Sequence, residues 1–129
     1  PMDLTPLADG LPLTSFDLLC PFFSWPMPTY DGPAKVMGRR AQRFSVKNLT
    51  DPNSPISSVT IWIDAGYRYP LAWDAFGRDG RPLRRFQLRS LKKINDGRWA
   101  VRSVEFSIPR ERKVVRVEIL GKESYGREP

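Results

Sequence analysis

The sequence predicts a mainly β domain: a curved antiparallel up-and-down sheet of about six strands, open like half a barrel, with one short N-terminal helix. Strand-like runs with alternating apolar and polar residues fill most of residues 34–122. Asp79-Gly80 and Asp96-Gly97 separate consecutive runs. Asp-Gly between such runs is the strongest local hairpin signal, and it predicts type I′ turns with positive φ at both residues. A change of apolar phase inside the run 99–108 indicates a bulge or a strong bend.

The first 33 residues are proline-rich and form a segment of their own. They hold seven of the thirteen prolines, so most of this segment is predicted to be irregular. One short helix is predicted over residues 14–20. Thr14 and Asp17 have the spacing of a capping box, and Pro21 ends the helix. Because it is barely two turns long, this helix must dock on the sheet to persist.

Residues 22–28 are unusually apolar for an irregular segment. One interpretation is a core plug that covers one mouth of the sheet. A second is a lid over an apolar groove for a ligand, for which aromatic and Met side chains are well suited. A third is an interface with a missing segment or partner.

Six strands are predicted, separated by turn-forming residues. Residues 29–33 are predicted to form a turn, and Gly38 a bulge or bend within the first strand. Residues 123–129 are predicted to be a tail. A six-stranded sheet with one apolar face cannot close on itself, so it needs a cover or a second copy of the chain. The predicted strands are 35–49, 59–64, 70–76, 83–94, 99–108 and 113–120.

The charge of the chain is uneven. The net charge is +7, and residues 78–129 hold fifteen Lys and Arg against seven Asp and Glu. A basic half predicts attraction to an anionic membrane surface or to an acidic partner protein. The alternative is a solvated sheet face, because long basic side chains commonly cover exposed strands.

The residue types that most catalytic and metal sites require are scarce. The chain has no histidine and a single cysteine, Cys20, which excludes an intramolecular disulfide, the usual zinc sites and His-based nucleophile systems. Asp64, Asp74 and Asp79 lie at strand ends or turns, where Asp is typical of local hydrogen bonding. No nucleotide-binding glycine motif is present. We therefore predict no catalytic residues, no metal and no cofactor.

Single-stranded nucleic-acid binding is a further hypothesis, since the sheet is basic and carries aromatic residues. A stacking platform needs both groups on one face. Arg85 and Arg89 alternate with Phe86 and Leu88, so they point away from them. Nucleic acid is therefore not favoured as a partner.

Six short motifs follow one another along the chain, and their order and spacing are specific when taken together. They are LPLTSFDLL (11–19), GRRAQRF (38–44), VTIWIDA (59–65), PLAWDAFGRDGRPLRRFQL (70–88), KKINDGRW (92–99) and VEF (104–106). In this order and spacing the chain resembles the outer-membrane lipoprotein-sorting protein family of the LolA-like superfamily. The resemblance covers most of the chain from residue 11 to residue 120.

This resemblance implies a half-barrel whose concave apolar face, covered by short helices, holds acyl chains of lipoproteins or other lipids. It implies a non-enzymatic carrier in the periplasm or cell envelope. The signal peptide, long first helix and first strands of the family are not present, so the chain resembles the C-terminal portion of such a protein. We therefore expect an incomplete cavity or a homodimer.

Carried over to this sequence, the resemblance places the helix 14–20 among the lid elements and the inward residues of the sheet along the groove. The alternation leaves open whether Ile61 or Trp62 points inward. The alternative is that all these residues are plain core, in a structural or protein-interaction module with a filled interior. The predicted groove and lid residues are Phe16, Leu19, Phe22, Phe23, Trp25, Phe44, Trp62, Trp73, Phe86, Leu88 and Phe106.

Overall fold

One antiparallel sheet dominates the computed structural model, which describes residues 14, 16–17 and 20–118. Its seven strands follow one another in chain order, each paired with the next, as predicted for an up-and-down sheet. A 3-10 helix, Pro21–Ser24, precedes the sheet, and a second, Pro109–Glu111, precedes the last strand. The strands are β1 (Thr29–Val36), β2 (Arg39–Lys47), β3 (Ile56–Asp64), β4 (Pro70–Gly77), β5 (Pro82–Lys93), β6 (Trp99–Ile108) and β7 (Lys113–Glu118).

The sheet has seven strands, one more than predicted, because residues 29–47 form a hairpin of two strands and not a turn followed by one strand. The predicted turn at 29–33 is wrong: these residues begin β1, and a bulge lies between Tyr30 and Gly32. β1 is an edge strand, so one of its sides has no partner strand. Pro33 is tolerated in β1 because a proline, which lacks an N–H, costs no hydrogen bond on that open side. Met37 and Gly38 have φ of 53° and 75°, the positive values that a two-residue type I′ turn requires.

The two Asp-Gly pairs do lie in tight hairpin turns, but the predicted turn type is wrong. Gly80 has a φ of 82°, whereas Asp79 is not among the residues with positive φ. The Gly80 amide donates to the Gly77 carbonyl (3.0 Å), and the Gly77 amide donates to the Arg81 carbonyl (2.9 Å). This is a three-residue loop that ends in a left-handed glycine, and the second Asp-Gly pair repeats it. The Asp79 carboxylate accepts the Arg81 amide, which favours this loop over the two-residue turn.

The predicted irregularity in the 99–108 run is present. The pairing of β5 with β6 shifts on both sides of Ser90, and further shifts occur between β3 and β4 and between β4 and β5. Bulges of this kind bend strands and increase their twist. Within the described residues β1 and β7 do not pair with each other, so the sheet is open. In the same part of the chain, no helix is long and apolar enough to cross a membrane.

The register aligns one large apolar side chain from every strand. We call this set the aromatic row. It consists of Tyr30, Phe44, Ile61, Trp73, Phe86, Phe106 and Val115, one each from β1 to β7. The neighbouring positions on the other face carry charged pairs: Arg85 donates to Asp74 (2.7 Å) and Arg116 to Glu105 (3.1 Å). Both are ion pairs between neighbouring strands. The face of the sheet that carries the aromatic row positions the candidate site.

Candidate functional site

The middle of the aromatic row lies under the described part of residues 14–25, which we call the covering segment. Phe16 and Phe22 pack on Trp73, with ring centroids 5.7 and 5.1 Å from its ring centroid. Trp25 packs on Phe22 at 6.4 Å. Phe16, Phe22 and Trp73 are only 2%, 1% and 1% exposed. Phe16 and Phe22 are therefore as deeply buried as Trp73 beneath them.

The covering segment begins with the capping box that the sequence predicts. The Asp17 amide donates to Thr14 Oγ1 (3.3 Å), and the Thr14 amide donates to the Asp17 carboxylate (2.9 Å). Phe16 and Asp17 are helical, and the Cys20 amide donates to the Phe16 carbonyl (3.1 Å). Ser15, Leu18 and Leu19 lie outside the described residues. Cys20, predicted to end the helix, is not helical, because its backbone is left-handed with a φ of 44°. Pro21 stands at the start of the 3-10 helix, where its missing N–H costs nothing.

A buried ion pair joins the covering segment to the sheet. Arg84 Nε donates to Asp17 Oδ1 (3.1 Å), and the Arg84 Nη2 atom contacts Asp17 Oδ2. Both side chains are almost fully buried. Arg84 lies on β5 across from Ala75 on β4. A buried charge is tolerated only when it is paired, so this contact fixes where the segment lies on the sheet.

Arg84 is not among the site residues predicted above, although the sequence carries a signal for it. Arg84 shares its strand phase with Phe86 and Leu88, so it points toward the apolar side of β5. An inward arginine requires an acidic partner. Asp17, predicted only as a capping residue, supplies that partner.

Cys20 belongs to the covering segment and is partly buried against the core. Burial, together with the negative charge of Asp17, raises the pKa of the Cys20 thiol to about 11. The thiolate is the reactive form of cysteine, so a raised pKa lowers the reactivity of Cys20 at neutral pH. The low reactivity of the Cys20 thiol therefore depends on the covering segment staying on the sheet.

The structure brings most of the predicted groove and lid residues together, but not all of them. Phe44, Trp73, Phe86 and Phe106 lie in the aromatic row, and Phe16, Phe22 and Trp25 belong to the covering segment. Ile61, and not Trp62, is the inward residue of β3. Trp62 and Leu88 instead belong to a second, smaller core cluster with Ala41 and Leu71. Phe23 is 49% exposed and points away from the core.

Among the described residues, the rings of Phe16 and Phe22 occupy the space over Trp73. An open cavity of about 430 Å³ lies at the edge of the segment instead. It is lined by Phe16, Pro21 and Trp25 on one side and by residues of the β2–β3 loop on the other, namely Asn48, Thr50, Asp51 and Ser54. This cavity leads to the outer edge of the buried aromatic cluster, since Phe16 belongs to both.

The acidic residues considered for acid–base chemistry each have a structural partner. Asp64 accepts the Gly66 and Tyr67 amides (3.0 and 2.7 Å) at the end of β3, and Asp74 pairs with Arg85. In the described part of the chain, no three His, Cys, Asp or Glu side chains lie close enough together to hold a metal ion. The chemistry that this site offers is apolar burial.

Comparison of the structure with solved proteins finds three similar folds. The first is titled "putative outer membrane lipoprotein-sorting protein domain" from Vibrio parahaemolyticus; it has a TM-score of 0.57 and 18% identity and covers 78% of this chain. The second is a DUF1329 family protein from Desulfovibrio piger, with a TM-score of 0.56, 18% identity and 76% coverage. The third is a LolA superfamily protein from Nitrosomonas europaea, with a TM-score of 0.60, 11% identity and 88% coverage.

These matches extend over 46%, 43% and 54% of the solved chains, so this chain spans about half of their length. At this level of identity they establish the fold alone. No protein-family model matches the sequence, and no curated protein matches it. The resemblance to the LolA-like superfamily that the motifs predict is confirmed for the fold.

Proposed function

We propose that this chain binds the acyl chain of a lipid or lipoprotein, as part of a non-enzymatic carrier in the periplasm or cell envelope. The observation that carries the proposal is an apolar row across all seven strands, whose middle is covered by a separate segment. The similar fold of a protein titled as a lipoprotein-sorting domain supports both the carrier role and the compartment.

Binding would be driven by removal of the acyl chain from water. Each buried methylene contributes ~0.8 kcal/mol, so about ten methylenes supply ~8 kcal/mol before any cost of opening. Because Phe16 and Phe22 already fill the space over Trp73, the acyl chain must displace the covering segment to reach the row. The apparent affinity for the acyl chain is therefore the affinity of the open form multiplied by the fraction of molecules in which the covering segment is displaced.

The cavity beside Phe16 and Trp25 is the proposed point of entry. It exposes apolar side chains at one edge of the covering segment, next to the loop that follows β2. An acyl chain that binds there first would meet Phe16 and could then replace its contacts one at a time. In this mechanism the protein makes no covalent bond, and its residues bind and shield the apolar chain.

A second candidate function is a structural or protein-interaction module of the envelope with a permanently filled core. The near-complete burial of Phe16 and Phe22 favours this alternative, since it is what a fixed plug would show. The two functions differ in one property. A carrier must let its covering segment move, whereas a filled module has no reason to do so.

Native mass spectrometry of protein purified from cells, combined with titration of a fluorescent fatty acid, tests the proposal. We expect a co-purifying lipid mass or saturable uptake of the fatty acid, with release when an unlabelled fatty acid is added. Phe86→Asp, which places a charge in the aromatic row, should abolish uptake, whereas Arg85→Asn on the polar face should not. Absence of both lipid and uptake in the folded wild type would favour the filled module.

A further inference from the structure

A cavity of about 460 Å³ lies at the end of the sheet where β2 begins and β3 ends. Its walls come from the β1–β2 turn, the start of β2 and the connection between β3 and β4. No described residue of the covering segment lines it, so it is separate from the candidate site. We call it the hairpin cavity. Its lining includes two cations, one carboxylate, a glycine and an aromatic ring, namely Arg39, Arg40, Asp64, Gly66 and Tyr67.

The Asp64 carboxylate in the hairpin cavity already has partners for both of its oxygens. Its Oδ1 atom accepts from Arg39 Nε (2.8 Å), and its Oδ2 atom accepts the backbone amides of Gly66 and Tyr67 (3.0 and 2.7 Å). The Asp64 side chain is only 4% exposed. Because it is buried and accepts from three donors, this carboxylate has little capacity to pair with a further cation.

Arg39, in contrast, uses only one nitrogen of its guanidinium group. Arginine carries its N–H donors in a planar fork, and among the described residues only Nε of Arg39 donates to a carboxylate. The ring of Tyr67 supports the guanidinium, whose Cζ atom lies 5.6 Å from the ring centroid. Arg85 differs, since its Nε and Nη2 atoms both donate to Asp74 (2.7 and 3.3 Å). The guanidinium of Arg39 is therefore held in place, while its two terminal nitrogens have no partner in the described part of the chain.

Two further cations lie at the hairpin cavity without an acidic partner. Arg40 lines the cavity, and Lys35 lies directly across from Arg40 in the pairing of β1 with β2. Like charges directly opposite each other on neighbouring strands repel and destabilise the pairing. Neither side chain forms an ion pair with any of the described residues. Three cations therefore surround one buried carboxylate, namely Arg39, Arg40 and Lys35 around Asp64.

We propose that the hairpin cavity binds a phosphate group, held by the terminal nitrogens of Arg39 and by the charges of Arg40 and Lys35. The arginine fork donates to two phosphate oxygens at once, which a point charge cannot do. A free phosphate ion or a phosphate monoester carries about two negative charges at neutral pH, which matches the excess of three cations over one carboxylate. A carboxylate ligand, with a single charge, would leave part of this excess in place. The bound phosphate also offsets the repulsion between Arg40 and Lys35.

Titration of the isotope-labelled chain by nuclear magnetic resonance tests the inference. We expect sodium phosphate to shift the backbone amide signals of residues 38–40 and 65–67 saturably, whereas sodium chloride at equal ionic strength should not. A parallel titration with dihexanoyl phosphatidic acid distinguishes the two sources of such a phosphate. Tighter binding of this lipid at the same residues would assign the site to a lipid head group, and equal binding would assign it to free phosphate. Absence of saturable shifts there with both probes would overturn the inference.

Arg39→Lys keeps the positive charge beside Asp64 but removes the planar fork. It should weaken phosphate binding at least about tenfold, because lysine cannot donate to two oxygens in one plane. The matched control is Arg85→Lys, the same substitution in an arginine that also pairs with an aspartate of the neighbouring strand. The two arginine side chains are similarly exposed, at 31% for Arg39 and 38% for Arg85. Arg85→Lys should bind phosphate like the wild type.

A second variant keeps the test valid if Arg39→Lys disturbs the turn. Lys35→Gln/Arg40→Gln changes two exposed side chains, and it should weaken phosphate binding at least about fivefold. Lys47→Gln/Arg102→Gln removes the same charge from exposed positions outside the cavity and should bind phosphate like the wild type. Equal losses in the two charge variants would overturn the inference, as would unchanged binding in a folded Arg39→Lys variant. Uptake of the fluorescent fatty acid should be unchanged in Lys35→Gln/Arg40→Gln, so the carrier function and the phosphate site can fail independently.

Discussion

Replacing Arg84 by methionine is expected to lower the free energy of unfolding by about 3–5 kcal/mol, because it leaves the Asp17 carboxylate buried without its partner. The two side chains are almost fully excluded from water, so solvent cannot compensate for the lost ion pair. Urea denaturation followed by circular dichroism measures the change. The loss of stability should be largest in the covering segment, because the buried pair of Asp17 with Arg84 holds this segment on the sheet.

The neighbouring residue provides a matched control. Arg85 pairs with Asp74 on the polar face, and its side chain is 38% exposed, so Arg85→Met should cost no more than about 1 kcal/mol. The double variant Arg84→Met/Asp17→Asn should recover part of the lost stability, because asparagine removes the unpaired charge and can still cap the helix. Equal effects of Arg84→Met and Arg85→Met would contradict the assigned role of the buried pair.

Replacing Phe22 by alanine is expected to destabilise the fold by about 3–5 kcal/mol, because the Phe22 ring is buried against Trp73, Phe16 and Trp25. The same substitution should tighten the uptake of a fluorescent fatty acid. It empties space over the aromatic row and weakens the closed state that the acyl chain must displace. Titrations at a temperature where circular dichroism shows a folded chain measure this second effect.

Phe23→Ala is the natural comparison, since Phe23 is adjacent in sequence but about half exposed. It should change stability by less than about 1 kcal/mol and leave uptake unchanged. If Phe22→Ala lowers stability but uptake stays absent in both variants, the ring is part of a permanent plug, and the filled-module function is the better description.

The sequence carried enough information for most of the sheet and for the start of the covering segment. Regular alternation located five of the strands, and the Asp-Gly pairs located two hairpins because glycine is required where φ is positive. The capping box between Thr14 and Asp17 was predictable because it depends only on neighbouring residues. These features are local, and a single sequence records local features directly.

The features that could not be predicted from the sequence depend on pairing across the sheet. The β1–β2 turn was hidden because Met37 takes a positive φ, which non-glycine residues seldom do, so no turn signal preceded Gly38. The inward residue of β3 could not be chosen, because Ile61 and Trp62 are both large and apolar and only the register with Trp73 decides. The Asp17–Arg84 pair spans 67 positions, a separation at which no local pattern applies.

The central claim is that the covering segment moves when an acyl chain binds, and Cys20 reports on it most directly. Because burial raises its pKa from 9.0 to about 11 and also limits access, the thiol of the closed chain should react with a disulfide reagent at least about tenfold more slowly than in urea. Cys20 is the single cysteine, so the signal has one source, and Cys20→Ser should give none. We predict that a saturating fatty acid raises the reaction rate toward the value in urea. A rate that stays unchanged or falls while the fatty acid is bound would contradict the claim.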